Sequence, residues 1–582
     1  MRKTLAIFLA LMAISLGCFA AERVVKLKIV QTSDIHGSYY STDLRSGVET
    51  SGSLARVHAF VQKKRELYGD NLILLENGDI LQGQPTAYYY NYIDTVSPHL
   101  TAAMMNYMGY NAATVGNHDV ETGRSVMDRW AGQCQCPMLG ANIIDTATGE
   151  PHFKPYTIIQ RDGVKIAVLG MITPAIPVWL SEHLWRGLRF DDMEETARRW
   201  VDIIRRREKP DVLIGLFHSG VEALTMMDRY RENASVEVAR RVPGFDIVLA
   251  GHDHKPLRTK VCNVVGDSVL VMNPGAGGAK VVNIDVQLTL RKHKVVGKKI
   301  SGVLSNTNNY GISEEFMQHF DPQLQQLKKF VSQKIGSMNE TISIRDAFFG
   351  PSGFIDLIHS LQLAITGADI SLTAPLACDI TIPRGDLTVG DMFNLYVFEN
   401  RLYTMRLSGR EVHRMLEMSY DQWTAQMTSE EDHLIRFRPA GEWAGRKGCD
   451  LLENYLFNFD SAAGIRYTVD VSKPEGQRVH IECMADGTPF DENRFYRVAV
   501  SSYRGTGGGE FLAKGAGIPQ EELASRILFS TDRDMRYYLM QYIEEQQSIS
   551  PRPLNQWKFV PSEWTVPAAR RDYRLMYGDT IQ

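Results

Sequence analysis

The sequence predicts an α/β protein with a layered first domain, a linking helix and a second α/β domain. Short apolar runs that end abruptly in Gly, Asn, Asp or His recur between Val24 and about Leu290, and helical patterns often follow them. From Glu315 to about Met338 apolar residues return at helical spacing, which predicts a linking helix. Strand patterns then resume.

The individual elements follow from periodicity. The first half contains six short apolar runs, whose length suits strands buried on both faces: residues 26–30, 71–75, 112–115, 165–169, 211–214 and 246–249. Helical spacing predicts helices at residues 54–68, 100–108 and 193–207. In the second half we expect a helix at about 409–419 and strands at 368–372, 401–407, 465–469 and 495–500.

Composition sets outer limits on function. The chain has 582 residues and a net charge of −4, from 64 Lys+Arg and 68 Asp+Glu. This composition excludes disordered, collagenous and disulfide-miniprotein classes, and the length predicts two to four domains. The balanced charge argues against binding of duplex nucleic acid, which needs a basic face, but leaves single nucleotides as ligands.

The N-terminus resembles a secretory signal. A basic head, Met1 to Lys3, precedes an apolar run over about residues 5–16 and small residues up to Ala20. We therefore expect a signal peptide over residues 1–20 and a periplasmic or cell-surface location, without a transmembrane span. Lipidation of Cys18 is the less favoured alternative, because Ser15 stands where a lipoprotein box usually has Leu.

Six cysteines follow the predicted cleavage site, and the sequence does not select among their pairings. Cys134 and Cys136 are two residues apart, but no second pair at zinc-site spacing accompanies them. A disulfide or a buried thiol is favoured there over a metal site.

Polar side chains follow five of the six predicted strands. Open α/β sheets bind ligands at the carboxyl ends of their strands, so these groups are expected to share one crevice: Asp34, His36, Asp79, Asn117, His118, His218, His252 and His254. Asp34 and His36, like His252 and His254, are two residues apart and in extended backbone would point the same way. Glycines before Asp79, Asn117 and His252 are expected to allow sharp turns.

Without His118, these residues supply two Asp, one Asn and four His. Carboxylate, amide oxygen and imidazole suit divalent Zn, Mn, Fe or Co. Seven ligands exceed the needs of one tetrahedral ion but suit two ions that share a bridging carboxylate, an arrangement that activates water and binds phosphate oxygens. A single His would be an ordinary core or surface residue. Their joint position at strand ends predicts a dinuclear metal site.

In order, Asp34-x-His36, Gly78-Asp79, Gly116-Asn117-His118-Asp119, His218 and Gly251-His252-x-His254 resemble the calcineurin-like metallophosphoesterase signature. To about Leu512 the chain is similar to the periplasmic 5′-nucleotidase family. The resemblance implies a four-layer sandwich domain over residues 24–312, a linker helix over 313–340, a nucleotide-binding α/β domain over 341–550 and a tail over 551–582.

The resemblance also implies residue roles. Asp34, His36, Asp79 and His254 would bind one ion, and Asp79, as the bridge, would bind the other with Asn117, His218 and His252. His118, paired with Glu121, would stabilise charge on the transition state while a metal-activated hydroxide attacks phosphorus. Phe398 and Tyr503 resemble the two rings that sandwich the nucleobase, a contact worth ~1–3 kcal/mol per base. The linker would let the second domain rotate.

Two branches of the family fit. The segment 373–380 lacks the Gly cluster and Arg usual in 5′-nucleotidases. That segment, with residues 77–83, 172–179 and 396–400, resembles the 2′,3′-cyclic-nucleotide 2′-phosphodiesterase/3′-nucleotidase branch, which we favour. The alternatives are a 5′-nucleotidase acting on 5′-mononucleotides or nucleotide sugars, a hydrolase of a non-nucleotide ester, and a non-catalytic nucleotide-binding surface protein. The complete ligand set argues against the last.

Overall fold

A computed structural model describes residues 22–221 and 231–578. The predicted signal peptide and Cys18 lie outside these ranges. Within them, no helix has both the length and the apolar character needed to cross a membrane.

The first domain is built on two six-stranded sheets. Its strands are β1 Arg23–Thr32, β2 Leu72–Glu76, β3 Ala112–Thr114, β4 Met138–Leu139, β5 Ile143–Asp145, β6 Tyr156–Arg161, β7 Val164–Ile172, β8 Leu188–Phe190, β9 Val212–His218, β10 Ile247–Leu249, β11 Leu257–Cys262, β12 Ser268–Asn273, β13 Lys280–Arg291 and β14 Lys294–Asn306. One sheet has the order β14-β13-β1-β2-β3-β4 and the other β11-β12-β10-β9-β7-β6. β1 pairs antiparallel with β13 and parallel with β2.

Helices cover the outer faces of both sheets. They are α1 Leu54–Tyr68, α2 Pro85–Tyr88, α3 Leu100–Met108, α4 Asn117–Glu121, α5 Arg124–Gln133, α6 Ile176–Trp179, α7 Met193–Arg207 and α8 Ser235–Arg241. Between the sheets, Ile29 and Ile73 share a buried cluster with Leu216 and Ile247. α1 and α3 bury their apolar faces in a second cluster, and α7 and α8 in a third. The predicted four-layer α/β sandwich is confirmed.

The three helices predicted for this domain, α1, α3 and α7, are confirmed residue for residue. Local signals explain this accuracy, since Ser53 and Asp192 cap the N-termini of α1 and α7 by accepting from Arg56 and Glu195 backbone N–H groups. α7 also has acidic residues in its first turn and three arginines in its last, which suits the helix dipole. All six predicted strands are present: β1, β7 and β9 are longer than predicted, β2 is shifted by one residue, and β3 and β10 are one residue shorter.

The linking segment is only partly helical. Two helices, α9 Glu314–His319 and α10 Asp321–Val331, are followed by a strand, β15 Lys334–Met338, where the prediction had continued the helix. β15 contains Gly336 and pairs with two strands of the second domain, so sheet hydrogen bonds outweigh the helical spacing of its apolar residues. Phe316 and Leu324 bury α9 and α10 against the first domain.

The second domain is also α/β. Its remaining strands are β16 Ile342–Ser343, β17 Ile370–Thr373, β18 Thr381–Ile382, β19 Gly385–Thr388, β20 Arg401–Ser408, β21 Ser461–Ala463, β22 Ile465–Asp470, β23 Val479–Met484, β24 Phe495–Ser501, β25 Ile527–Asp534, β26 Ser548–Ile549 and β27 Trp557–Val560. Its helices are α11 Gly353–Thr366, α12 Val389–Leu395, α13 Gly409–Trp423, α14 Ser502–Gly505, α15 Leu523–Arg526, α16 Met535–Gln546 and α17 Ser562–Tyr577. The largest sheet has the order β21-β17-β24-β20-β25.

The segment predicted as a tail is part of this domain's core. β27 pairs in parallel with β22, and Trp557 stacks on Tyr467 at 5.9 Å between ring centroids. The Asp572 carboxylate of α17 is fully buried and accepts hydrogen bonds from the backbone N–H groups of Leu434 (2.8 Å) and Ile435 (3.0 Å). The prediction failed because the partners of this segment lie about a hundred residues away in sequence.

The cysteine pairing that the sequence left open is partly resolved. A disulfide joins Cys378 and Cys449 across 71 residues of sequence. Cys134 and Cys136 are free, and Cys136 is buried, so of the two favoured interpretations the structure shows a buried thiol and not a disulfide.

Candidate metal centre

The predicted polar residues converge at one end of the sandwich, and they come from both sheets. Asp34 and His36 follow β1, Asp79 follows β2, and Asn117 begins α4 after β3. From the other sheet, His218 ends β9, and His252 and His254 follow β10. Because the two sheets face each other, the carboxyl ends of these five strands surround a single site.

The first ligand group consists of Asp34, His36 and His254. The Nε2 atoms of His36 and His254 lie 3.0 Å apart, and Nε2 of His254 lies 3.4 Å from Oδ1 of Asp34. One donor atom from each of the three residues falls within 4.8 Å of the others, which is the spacing of atoms around a common ion.

The second ligand group consists of Asp79, His218 and His252, with donor atoms also within 4.8 Å of one another. Nε2 of His218 lies 3.1 Å from Oδ2 of Asp79. The amide oxygen of Asn117 joins this group, at 3.1 Å from Nε2 of His218 and 2.8 Å from Nδ1 of His252. The two groups contain the residues that the resemblance assigned to each ion, and their roles as ligands, like that of Asp79 as the bridge, remain predictions.

Five of these ligands have left-handed backbone conformations. The φ angles are 53° at Asp34, 49° at His36, 57° at Asp79, 74° at His252 and 55° at His254. Such angles are uncommon for residues other than glycine and cluster at functional sites. We expected each i, i+2 pair to point the same way because its backbone would be extended. That reason was wrong, because the pairs lie in tight loops beyond the strand ends.

The glycines before Asp79, Asn117 and His252 are needed more for the close approach of neighbouring loops than for sharp turns. Gly78 has a φ of 87°, as a turn requires. At Gly116, however, an added Cβ would lie 2.1 Å from Oδ1 of Asp79. At Gly251 it would lie 2.3 Å from Oγ of Ser33. Side chains at Gly116 and Gly251 would push the ligand loops apart.

Asp119 holds two ligand loops together, a role that we did not assign from the sequence. Its buried carboxylate accepts hydrogen bonds from four backbone N–H groups, those of Asp79 (2.8 Å), Ile80 (3.0 Å), Leu81 (2.9 Å) and Gly116 (2.8 Å). The loop that carries Asp79 is thereby fixed to the loop that carries Asn117. An acidic residue at the third position of a short helix after Gly is the sequence signal that could have indicated this role.

The chemistry of the site fits two divalent ions. Oδ2 of Asp79 is buried without a hydrogen-bond partner among the described residues, and Nε2 of His218 approaches it outside hydrogen-bonding geometry. Burial lowers the pKa of His36 to about 4, so this imidazole is neutral and able to act as a ligand at neutral pH. Burial opposes the ionised form of Asp79, but the charges of His218 and His118 hold its pKa well below the usual range. An anionic carboxylate with a free oxygen, surrounded by imidazoles, is a metal-binding arrangement.

His118 lies beside both groups. Its backbone N–H donates to Oδ1 of Asp79 at 2.8 Å, and its Nδ1 lies 2.5 Å from Oε2 of Glu121. Burial disfavours the imidazolium, but the charges of Asp79 and Glu121 outweigh it and raise the pKa of His118 to about 10. The predicted pair of His118 and Glu121 is therefore in contact, and the longer Glu side chain reaches the ring.

The second domain contacts this centre through Trp179. The indole of Trp179 stacks on His252, with ring centroids 5.4 Å apart, and its carbonyl accepts a hydrogen bond from Oγ1 of Thr506 at 2.8 Å. A cavity of about 80 Å³ between the domains is lined by residues that include Glu121, Trp179, Arg401 and Ser502.

The aromatic ring against Tyr503 is Phe457, which the sequence did not single out. The two rings meet edge to face, with centroids 6.1 Å apart and an angle of 86°. Gly508 allows the loop to close over Tyr503, since an added Cβ would lie 2.6 Å from that ring. Phe398 is half-buried and precedes Glu399, which accepts from the Tyr92 hydroxyl across the domain interface at 3.2 Å. Nothing in its local sequence distinguishes Phe457 from a core aromatic residue.

The fold and the two ligand groups define a metal-dependent phosphoesterase. A family model for calcineurin-like phosphoesterases matches residues 27–256, and one for the 5′-nucleotidase C-terminal domain matches residues 334–514. The chain belongs to the 5′-nucleotidase family of calcineurin-like phosphoesterases.

Several relatives extend over nearly the whole chain. A trifunctional nucleotide phosphoesterase of Bacillus subtilis is 27% identical over 94% of this chain, which spans only 40% of that longer relative. A 2′,3′-cyclic-nucleotide 2′-phosphodiesterase/3′-nucleotidase of Yersinia enterocolitica is 24% identical over 95% of this chain and 91% of its own length. The solved structure of a putative 5′-nucleotidase from Staphylococcus aureus covers 92% of this chain and 100% of its own, with a TM-score of 0.74 at 21% identity, and supports the fold.

Proposed function

We propose that the protein hydrolyses nucleotide phosphate esters as a 2′,3′-cyclic-nucleotide 2′-phosphodiesterase and 3′-nucleotidase. The observation that carries the proposal is the convergence of two ligand groups beside His118 at the interface with the second domain. Such an arrangement joins a phosphate-binding centre to a domain that can recognise the rest of a nucleotide.

Asp34, His36 and His254 would hold one divalent ion, and Asn117, His218 and His252 the other, with Asp79 shared between them. When bound, two such ions activate water as a nucleophile and withdraw charge from phosphate oxygens. The structure supports Zn, Mn, Fe or Co on ligand type and does not select among them.

His118 and Glu121 would act on the phosphoryl group. Glu121 fixes the ring by its contact with Nδ1, which leaves Nε2 to donate a proton or a hydrogen bond. Without bound ions, the carboxylates of Asp79 and Glu121 raise the pKa of His118 to about 10. Glu121 continues to favour the protonated ring when Asp79 binds ions, so His118 can stabilise negative charge that develops on an oxygen of the substrate.

Tyr503 and Phe457 would contact the nucleobase. Arg504 holds both loops, since its guanidinium pairs with Asp460 at 2.9 Å and donates to the carbonyls of Phe457 (2.8 Å) and Gly508 (2.7 Å). This buried anchor holds the two loops, and because the rings are perpendicular a base can stack on the face of one of them at a time. Phe398 remains the ring that the resemblance implied, so the two phenylalanines are competing assignments for the partner of Tyr503.

The cyclic and 3′-phosphate substrates are favoured over 5′-phosphates on two grounds. Relatives named for that activity match about nine-tenths of both chains, and residues 373–380 lack the Arg and Gly cluster of 5′-nucleotidases. The competing assignment is 5′-nucleotidase, because a protein of that name from Vibrio cholerae is 30% identical over 42% of this chain and 43% of its own length.

Phosphate release from 2′,3′-cAMP, 3′-AMP and 5′-AMP by the metal-loaded protein, with chromatography of the nucleotide products, separates these functions. We expect rapid turnover of the first two and loss of activity in His118→Ala. A preference for 5′-AMP would assign the protein to the 5′-nucleotidases. No turnover of any of the three by protein that has bound two ions would contradict the proposal.

We further propose that the chain is exported, with cleavage after Ala20. The disulfide between Cys378 and Cys449 supports an oxidising compartment. Expression of the full chain followed by N-terminal sequencing of the periplasmic fraction tests the cleavage. Membrane retention that Cys18→Ala abolishes would establish the lipoprotein instead.

A further inference from the structure

The two ring nitrogens of His252 have different partners. Nδ1 faces the metal-binding group, at 2.8 Å from the amide oxygen of Asn117. Nε2 faces away from it and lies 2.9 Å from Oε1 of Glu232. A histidine binds a metal ion through a nitrogen that carries no proton. The proton of a neutral His252 therefore belongs on Nε2, and this N–H group can donate a hydrogen bond to Glu232.

The other histidine of this group is oriented differently. His218 places Nδ1 2.6 Å from the carbonyl of Asn77 and directs Nε2 toward Asp79 and Asn117. That ring is fully buried at the end of β9, so its surroundings fix it. His252 instead lies in a loop, and its side chain remains 11% exposed, which makes a specific partner more important for its orientation.

The backbone of Glu232 is anchored beside the strand that carries His218. Its carbonyl accepts a hydrogen bond from Oγ of Ser219 at 2.7 Å, and the side chain of the next residue, Asn233, accepts one from the Gly220 N–H at 3.0 Å. Ser219 also accepts from the N–H of Ala234 at 2.9 Å. These bonds tie the segment after Arg231 to the end of β9 and hold the Glu232 carboxylate at His252.

Trp179 restrains the same ring from its face, at an angle of 29° between the planes. Stacking against Trp179 still allows the imidazole to rotate in its own plane or to turn over so that its nitrogens change position. A hydrogen bond to Nε2 prevents both movements. The two contacts are therefore complementary, and only the one from Glu232 selects which nitrogen faces Asn117.

We propose that Glu232 is a positioning residue for the second metal ion. Its carboxylate accepts a hydrogen bond from the Nε2–H group of His252. This bond fixes the tautomer in which Nδ1 is free and increases the basicity of that ligand nitrogen. The inference rests on the dinuclear centre of the proposed function but not on the identity of the substrate. Loss of such an outer carboxylate typically weakens metal binding by ~10–100-fold.

The test is a metal titration that needs no substrate. Metal-free full-length protein is equilibrated with buffered Mn²⁺, and bound ions per chain are counted for the wild type, Glu232→Ala and Glu232→Gln. We expect two ions in the wild type, with binding of one of them weakened about 10-fold or more in Glu232→Ala. Glu232→Gln keeps an acceptor oxygen and should recover part of that affinity.

An Asp34→Asn background identifies the affected ion, because it removes a ligand of the first group only. Adding Glu232→Ala to that background should weaken the remaining ion by the same factor. Glu237→Ala, which removes a nearby carboxylate paired with Arg240 and Arg241, is the matched control and should bind both ions as the wild type does. Melting curves of the metal-free proteins verify folding.

Equal affinities in Glu232→Ala and the wild type would overturn the role of Glu232. An equal loss at both sites would also overturn it, since that result indicates a general structural effect. A wild-type protein that binds only one ion or none would contradict the dinuclear centre itself, whereas two tightly bound ions without nucleotide turnover would contradict the proposed substrate and leave the role of Glu232 intact.

Discussion

Nδ1 of His118 lies 2.5 Å from Oε2 of Glu121, one helical turn further along α4. Side chains at i and i+3 share a helix face, so the short helix after β3 presents both groups to the same side. Asn117, which begins this helix, contacts His218 and His252. One helix therefore carries the proposed metal ligand Asn117 and the proposed acid His118 side by side.

Glu121→Gln should move the alkaline limb of the pH–rate profile to lower pH. The Glu121 carboxylate stabilises the charged form of His118, whose pKa is about 10, and the neutral amide does not. The pKa therefore falls, by ~1–3 units for the loss of a close opposite charge, and a smaller fraction of His118 is protonated at alkaline pH. Glu121→Asp retains the charge and should give a smaller displacement. An unchanged limb in Glu121→Gln would show that His118 does not act as an acid.

Asp79→Asn should lower the binding of both ions, whereas Asp34→Asn should lower the binding of only one. Asp79 is the proposed shared ligand, and its free oxygen faces His218, while Asp34 belongs to the first group alone. Elemental analysis after dialysis against a weak chelator gives the ions per chain. If Asp79→Asn retained one ion at wild-type affinity, the carboxylate would not be a bridge.

Asp119→Ala should lower the free energy of unfolding by at least about 3 kcal/mol and also weaken metal binding. The change leaves four buried backbone N–H groups without their acceptor, at ~1–3 kcal/mol for each unsatisfied group. Asp192→Ala, which removes only the cap of α7, should cost about 1 kcal/mol and leave metal binding unchanged. Urea denaturation measures both, and similar costs for the two variants would contradict the loop-fixing role.

Tyr503→Ala should raise KM for 3′-AMP by ~5–150-fold, the equivalent of 1–3 kcal/mol of base stacking, while Tyr503→Phe should remain close to the wild type. Parallel KM measurements on Phe457→Ala and Phe398→Ala decide which ring is the partner. Phe457 is the competing assignment because its ring meets Tyr503 edge to face. A raised KM in Phe398→Ala alone would restore the assignment made from resemblance. Wild-type KM values in all three alanine variants would contradict base stacking altogether.

Asp572→Ala should destabilise the second domain by about 2–5 kcal/mol, since two buried backbone N–H groups lose their acceptor. The matched control is Arg570→Ala on the exposed side of the same helix, which should change stability by less than ~0.5 kcal/mol. Thermal denaturation compares them. Equal melting temperatures for Asp572→Ala and the wild type would show that the Asp572 carboxylate does not stabilise the second domain.

Local signals made much of this protein predictable. α1, α3 and α7 could be delimited because periodicity and end signals lie within the elements themselves. The linker was harder, since Lys334–Met338 has apolar residues at helical spacing but forms a strand by pairing with Gly385–Thr388 and Ser548–Ile549. That pairing involves residues 47 to 54 positions away in one strand and 211 in the other, which periodicity does not detect.

Sequence alone was sufficient to propose the ligand set, because seven side chains of metal-binding types at strand ends in a fixed order are specific by residue type and position. The three-dimensional contacts were needed to show that these residues form two groups, that their loops adopt left-handed backbone, and that Asp119 and Glu232 lie against them. It also placed Phe457 against Tyr503 and drew residues 557–577 into the second domain. These features depend on contacts between residues far apart in the chain, and a carboxylate or an aromatic ring has the same local sequence signature whether it faces a ligand, a core or solvent.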